Sequence, residues 1–291
     1  MRKKTDDLLY RLMALPAILL FCVFFLYPLF RGIGYSFTNY NGITPGKFIG
    51  LQNFIDFFHD DRAIQDIVNT LQFGLVSAVL LNVFGLLYAL IFDHNTRYCR
   101  VGRTVVYIPA VISGLIMGYI WLMILSPQTG SYYQFLSNIH APWLFHDTLG
   151  SMNNAMWAII AVNVWQFVGG PMIIYLAGLQ SIDPDLYEAG MIDGASYFQR
   201  LFRITLPLLI PSIKINVITN IIGSLAVFDV IVALTNGGPG FATESLSMFI
   251  YRNAYGGSTG YATAVAVIMF FIILVPVAVS LIIINKKEAE M

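Results

Sequence analysis

The residues of this chain whose types and spacing could do chemistry fall in two settings. The first is a set of amides inside long apolar stretches. Asn163 and Gln166 lie three apart, and Asn216, Asn220 and Ser224 recur every four residues, so each set shares one helix face. An amide both donates and accepts hydrogen bonds. In lipid such a group is costly, so it turns toward another helix or a cavity. Each face therefore either bonds to a neighbouring helix or lines a path for a polar solute. Asn82 with Gly85 is a weaker case of the same kind, and Trp165 either stacks on a ligand ring or simply packs.

The second setting is the segment 180–207. Asp183 can cap a helix whose first position is Pro184, and Asp193-Gly194 supplies residues suited to a left-handed stop after Ile192. Ser196 and Gln199 have the spacing of a capping box for a second helix. Phe198, Leu201, Phe202 and Leu206 give that helix an apolar stripe, which runs on to Pro207 and Pro211. The short first helix mixes acids (Asp185, Glu188) with small residues (Ala189, Gly190), and Asp193 and Gly194 follow it. Small residues allow close backbone approach to another surface, and acids offer partners for Arg or Lys there. The other reading is a solvated loop between two spans.

Catalytic sets are not visible. The only Gly-Lys pair, Gly46-Lys47, is followed by Phe48, so there is no phosphate-cradling P-loop. His59, His94, His140 and His146 have no metal-ligand spacing, and Gly257-Ser258-Thr259-Gly260 is one residue short of a nucleophile elbow. Cys22 and Cys99 define no disulfide framework. No enzyme, metal or cofactor is expected.

What must position these residues follows from composition. Of 291 residues 57% are hydrophobic and 11% charged, against about 25% charged in a soluble domain, which leaves too little polar material to cover a globule. Sixteen Lys+Arg balance sixteen Asp+Glu, so no bulk attraction to nucleic acid is expected. The charges cluster, and the gaps between clusters are long enough for helices of about 20 apolar residues to cross a membrane. The gaps predict six transmembrane helices, near 12–30, 73–92, 105–124, 157–179, 208–232 and 262–284; the fifth carries Lys214 and Asp229 near its ends. The first run is longer than a signal-peptide core and lacks a cleavage site, so it reads as an uncleaved helix. With the N-terminus inside, inner segments hold eleven basic residues: Arg2, Lys3, Lys4, Arg11, Arg97, Arg100, Arg103, Arg200, Arg203, Lys286 and Lys287. Outer segments hold four: Arg31, Lys47, Arg62 and Arg252. The positive-inside rule then makes both termini cytoplasmic. Ala110, Gly114 and Gly118 read as a small-xxx-small packing face.

Glu188-Ala189-Gly190, Gly194 four residues on, then nine residues and Ile204-Thr205-Leu206-Pro207 resemble the EAA motif of ABC importer permeases. The spacing matches in full, and Gly190 stands where the motif usually has Ala. Tyr35–Tyr40 with Phe48–Phe54, Leu176–Gln180, Asp193-Gly194-Ala195 and Leu234–Pro239 are similar to stretches of the carbohydrate-uptake branch, which includes maltose, multiple-sugar and glycerol-3-phosphate permeases.

The resemblance implies an all-α integral membrane protein of the type-1 ABC importer permease fold in a prokaryotic cytoplasmic membrane. Residues 1–66 would form a tail, first helix and outer loop, 67–285 the transmembrane domain, and 286–291 a cytoplasmic tail. It implies no catalytic role for this chain: ATP hydrolysis belongs to a cytoplasmic ATPase dimer that receives Pro184–Ile192 as a coupling helix. Asp185, Glu188, Ala189, Gly190, Asp193, Gly194, Leu206 and Pro207 would carry that coupling. A second permease, most simply a paralogue, and an extracytoplasmic solute-binding protein would complete the importer. A sugar, di- or oligosaccharide, would pass along Asn163, Gln166, Asn216 and Asn220. Glycerol-3-phosphate is the nearest alternative cargo, although a phosphate would want a basic residue facing the path and only Lys214 lies near the membrane interior. An ion-coupled secondary transporter or channel using Asp229 is a further alternative, but the sequence shows neither a second intramembrane charge nor paired broken helices, so Asp229 reads rather as a residue at the outer interface or one that caps a helix.

Overall fold

The computed structural model describes residues 13–127, 129–140 and 147–289, and in them it is built almost wholly of helix. Leu12, the basic tail at 2–11, His146 and the last two residues, on which parts of the topology reading rest, lie outside the described residues. Three helices are long and apolar enough to cross a membrane unbroken: α1 (Met13–Tyr35), α3 (Asp61–Ile91) and α14 (Thr259–Ala289). The helix α2 (Gln52–His59) lies between the first two.

The other three expected spans are bent pairs, and each bend has a local cause. The run near 105–124 is two helices, α4 (Arg97–Val111) and α5 (Gly114–Leu125), at 98°. Pro109 contributes no N–H to the last turn of α4, and Ile112 and Ser113 are extended. The run near 157–179 divides into α7 (Ala155–Phe167) and α8 (Gly169–Leu179) at 44°, at Val168-Gly169-Gly170-Pro171; a short α6 (Ser131–Asn138) precedes it. The run near 208–232 begins earlier and ends earlier: α10 (Tyr197–Leu208) bends by 68° at Leu209, between Pro207 and Pro211, into α11 (Ile210–Leu225). Asp229 then opens a separate helix, α12 (Asp229–Leu234). With each bent pair taken as one span the total is six. The expectation of unbroken helices fails because apolar composition measures length in the membrane and is blind to direction.

The described chain groups into two compact units. In the larger, Arg62–Met248 with the chain from Phe270 onward, α3 is the central post. Phe73 and Leu81 pack with Ile159 and Ile160 of α7 and with Val230, Ile231 and Leu234 of α12. Ala89 packs with Met172, Tyr175 and Leu176 of α8, and Ala78 with Ile221 and Leu225 of α11. Small residues set the closest approaches. A β-carbon on Gly85 would lie 2.7 Å from Pro171 Cβ, and one on Gly118 would lie 2.5 Å from Ala233 Cβ. Gly114 and Gly118 thus face α12, whereas Ala110, expected on the same face, lies on α4 across the 98° break.

The smaller unit joins the chain up to Asp61 with Phe249–Met269. Its loop is pinned by Asn53, whose amide donates to the carbonyls of Ser36 (2.8 Å) and Thr38 (2.9 Å), and by the Gly260 N–H donating to Tyr40 O (2.7 Å). The helix α13 (Leu246–Tyr255) precedes α14.

Candidate functional site

The segment after α8 forms the helix, turn and helix that its sequence calls for. The Asp183 carboxylate accepts the Asp185 N–H (3.0 Å) and Pro184 opens α9 (Pro184–Ile192). Gly194 ends it at φ +73°, with the Gly194 N–H donating to Met191 O (3.0 Å) and the Ala195 N–H to Gly190 O (2.9 Å). That pair of bonds is a Schellman stop. The capping box is complete: Ser196 N–H donates to Gln199 Oε1 (2.7 Å) and Gln199 N–H to Ser196 Oγ (3.4 Å).

Asp185, Glu188, Ala189 and Asp193 are exposed on or just past α9, as are the apolar Leu186, Met191 and Ile192, the last 87% exposed. Gly190 has a different role. A β-carbon there would meet Ile204 Cδ1 at 3.1 Å and Arg200 Cδ at 3.5 Å, so the missing side chain lets α9 lie against the chain's own α10. Tyr187 and Thr205 hydroxyls add a 3.1 Å hydrogen bond between the two helices. Leu206 and Pro207 follow a wide turn at Leu201–Thr205, at the far end of α10. Behind α9 a cavity of about 350 Å³ is lined by Asp93, His94, Tyr187, Met191, Tyr197 and Arg200, among others. Burial raises the Asp93 carboxyl above its ordinary value, with His94 and Arg103 opposing.

The amides divide. Asn163, Asn216 and Asn220 line one cavity of about 370 Å³, with Pro171 of α8 and Thr219 and Ser224 of α11. This volume falls in the roughly 300–1,000 Å³ range of small-molecule sites. Asn216 Nδ2 donates to Pro171 O (3.3 Å), but Asn216 Oδ1 and Asn220 Nδ2 are buried with no hydrogen-bond partner. Buried amide groups left so cost about 1–3 kcal/mol each, so they favour a ligand that satisfies them.

Gln166 does not join them. It is fully buried and its Nε2 donates to Ile112 O (2.9 Å), holding the carbonyl freed where α4 breaks from α5. Trp165 packs edge-on against Trp121 and faces a separate apolar cavity with Leu80, Phe84 and Tyr88. Asn82 is satisfied on both sides, donating to Ala78 O (2.7 Å) and accepting from Tyr175 OH (2.8 Å), which is a packing role. Lys214 does not line the amide cavity either; it pairs with Glu288 at 3.1 Å.

Two groupings have no counterpart in the sequence reading, although Asp229 itself is singled out there. Asp229 lines a second cavity of about 280 Å³ that shares Asn163, Phe167 and Gly223 with the first. Arg62, in the first turn of α3, makes a two-pronged ion pair with the fully buried Glu244, Nε to Oε2 at 2.6 Å and Nη2 to Oε1 at 2.8 Å, over the Phe241 ring. Asn69 adds bonds to the carbonyls of Phe241 (3.2 Å) and Glu244 (3.0 Å), so the loop after α12 is fastened to α3. Neither had a local signal, because the partners meet only in three dimensions.

Residues 81–287 match the family described as binding-protein-dependent transport system inner membrane component. The chain is 34% identical over 284 residues to the probable starch degradation products transport system permease protein AmyD of Thermoanaerobacterium thermosulfurigenes, covering 97% of this chain and 96% of that one. It is 30% identical to the sn-glycerol-3-phosphate transport system permease protein UgpA of Yersinia enterocolitica, covering 92% and 90%. Its fold superposes on a chain from the crystal structure of a bacterial ABC transporter involved in the import of the acidic polysaccharide alginate, with a TM-score of 0.84, 29% identity and 98% of each chain covered. The bent helices, the EAA-type loop and these matches together make this chain a member of the binding-protein-dependent transport system inner membrane component family, a permease of the type-1 ABC importer fold.

Proposed function

We propose that the chain is the membrane subunit of an ATP-driven importer for a neutral di- or oligosaccharide, received from an extracytoplasmic binding protein and released into the cytoplasm. The observation that carries this reading is the cavity where Asn163, Asn216 and Asn220 converge, with Asn216 Oδ1 and Asn220 Nδ2 buried and without partners. Amides in this state match sugar hydroxyls, which also donate and accept. No Lys or Arg is among the residues lining this cavity, which weighs against a phosphorylated cargo. The UgpA relative favours glycerol-3-phosphate as the second reading.

Residues 67–285 act as the transport domain, with both termini cytoplasmic. The exposed acids and apolar side chains of α9 dock on an ATPase dimer, Glu188 as a charged contact and Gly194 as the turn that sets the helix angle. An ATPase dimer offers two clefts and this chain has one such loop, so a second permease fills the other. The test is uptake of labelled neutral sugars and labelled glycerol-3-phosphate in a deletion strain carrying wild type, Asn216→Ala or Asn220→Ala. We expect sugar uptake to fall about tenfold for each variant, one lost hydrogen-bonding group. Unchanged uptake in both variants assigns the amides to packing, and uptake of glycerol-3-phosphate alone installs the second reading.

A further inference from the structure

Asp229 stands in the first turn of α12, next to the helix-capping position that its sequence suggests, exposed and on the wall of a cavity that has Asn163 in common with the amide cavity. The packing around it keeps the carboxylate accessible. Gly114 of α5 lies alongside, and a β-carbon there would approach Asp229 Cβ to 3.4 Å and its Oδ2 to 3.7 Å; with glycine that flank of the carboxylate stays free. Neither cavity has Lys or Arg in its lining, and Lys214 is engaged with Glu288. Asp229 is therefore the only formally charged side chain on the walls of the two cavities.

We propose that Asp229 is a specificity-determining residue, which accepts hydrogen bonds from hydroxyls of a neutral sugar and excludes anionic sugars. The proposal rests on the sugar-transport reading above and adds the charge class of the cargo. An ionised carboxylate only accepts, so it complements hydroxyl donors. A substrate carboxylate or phosphate brings only further acceptors and a like charge, which the Asp229 carboxylate repels. The amides supply hydrogen bonding of either sense and the carboxylate supplies the sign.

The experiment is equilibrium binding to the assembled transporter in lipid nanodiscs with two probes that differ in one group, maltotriose and its uronic-acid counterpart in which one C6 hydroxymethyl is oxidised to a carboxylate. Wild type is expected to prefer the neutral probe by about tenfold or more, equivalent to about 1.4 kcal/mol. Asp229→Asn keeps the shape and removes the charge; it should bring the two affinities within about twofold while maltotriose affinity stays within about threefold. Asp229→Glu, which retains the charge, should retain the preference and reports that the cavity wall is intact. Maltotriose binding with a preference that Asp229→Asn leaves unchanged overturns the proposal and spares the sugar reading. Absence of maltotriose binding in wild type overturns the sugar reading, and the proposal with it.

Discussion

The ion pair between Arg62 and Glu244 is the sharpest test of how the larger unit is held together. Glu244 is fully buried while the Arg62 side chain keeps 35% exposure. Both carboxylate oxygens are engaged by the guanidinium, which also lies 3.7 Å from the Phe241 ring centroid. Arg62→Ala removes the cation and leaves a fully buried carboxylate without this ion pair. Breaking a buried pair in this way costs about 3–5 kcal/mol, and the partial exposure of Arg62 places this case near the lower end. At about 2 °C per kcal/mol, the low end of the range for large domains, the melting temperature of this 291-residue chain should fall by about 6 °C. Tryptophan fluorescence during a thermal ramp in mild detergent reads the shift. The double replacement Arg62→Met with Glu244→Met should recover most of it, since exchanging a whole buried pair for apolar residues is often neutral. A single variant that melts within about 1 °C of wild type, or a double variant worse than the single, refutes the reasoning.

Three further outcomes follow from single residues. Gly194 has φ +73° with open space around a prospective β-carbon, so Gly194→Ala should cost only the left-handed backbone penalty, about 1–2 kcal/mol, and leave a folded protein. Gly194→Asp should abolish ATP-dependent uptake with the protein still in the membrane, and full uptake would remove this turn from the coupling role. At Asp93 burial raises the folded-state pKa above the ordinary 3.8, so the folded protein holds the proton more tightly than the unfolded chain. The stability gained in this way is present at pH below that ordinary value and is lost as pH rises through the raised one. Asp93→Asn should flatten that part of the pH–stability curve, as measured by melting across acidic buffers.

The loop carrying α9 was legible because every device in it is local. The Asp183 cap, the Gly194 stop and the Ser196–Gln199 box each close within six residues, and side-chain chemistry alone dictates them. The bends were missed although each carries a local mark. Pro109, Gly169-Gly170-Pro171 and the pair Pro207 and Pro211 sit within apolar runs, and counting apolar length reads straight through them. The same blindness undid one sequence argument against an ion-coupled transporter, the lack of broken helices; family membership now decides that question. Three of the four amides, Asn163, Asn216 and Asn220, converge on one cavity. Asn216 and Asn220 share a face, as a four-residue repeat requires, and α7 brings Asn163 to the same cavity. Gln166, three residues further on, was claimed by a carbonyl 54 residues away. Arg62 and Glu244 are 182 residues apart and of types common on any surface, so no spacing rule could pair them.

The short covalent path between α9 and the amide cavity gives a mechanical reason for the two sites to work together. The helix preceding α9 is α8, which supplies Gly170, Pro171 and Ile174 to the cavity wall; the helix after the bend at Leu209 is α11, which supplies Asn216, Thr219 and Asn220. In the coupling role proposed for α9, a push on it would therefore reach both walls through these two helices. The helices touch at Gly178, where a β-carbon would come within 2.8 Å of Leu209 Cδ2 and would overlap Ser212 Oγ, on the first turn of α11. Gly178→Val would wedge them apart at the end nearest α9, at an overpacking cost of about 1–3 kcal/mol. That is small enough for the protein to assemble and large enough to bias a two-state arrangement by about fivefold or more. We expect uptake to fall by that factor while maltotriose binding to the assembled transporter persists. Full uptake in a variant shown to be inserted and folded would mean that α8 and α11 do not carry the motion. Loss of binding together with uptake would place Gly178 in the architecture of the cavity itself, and the mechanical link would have to run through α10 alone.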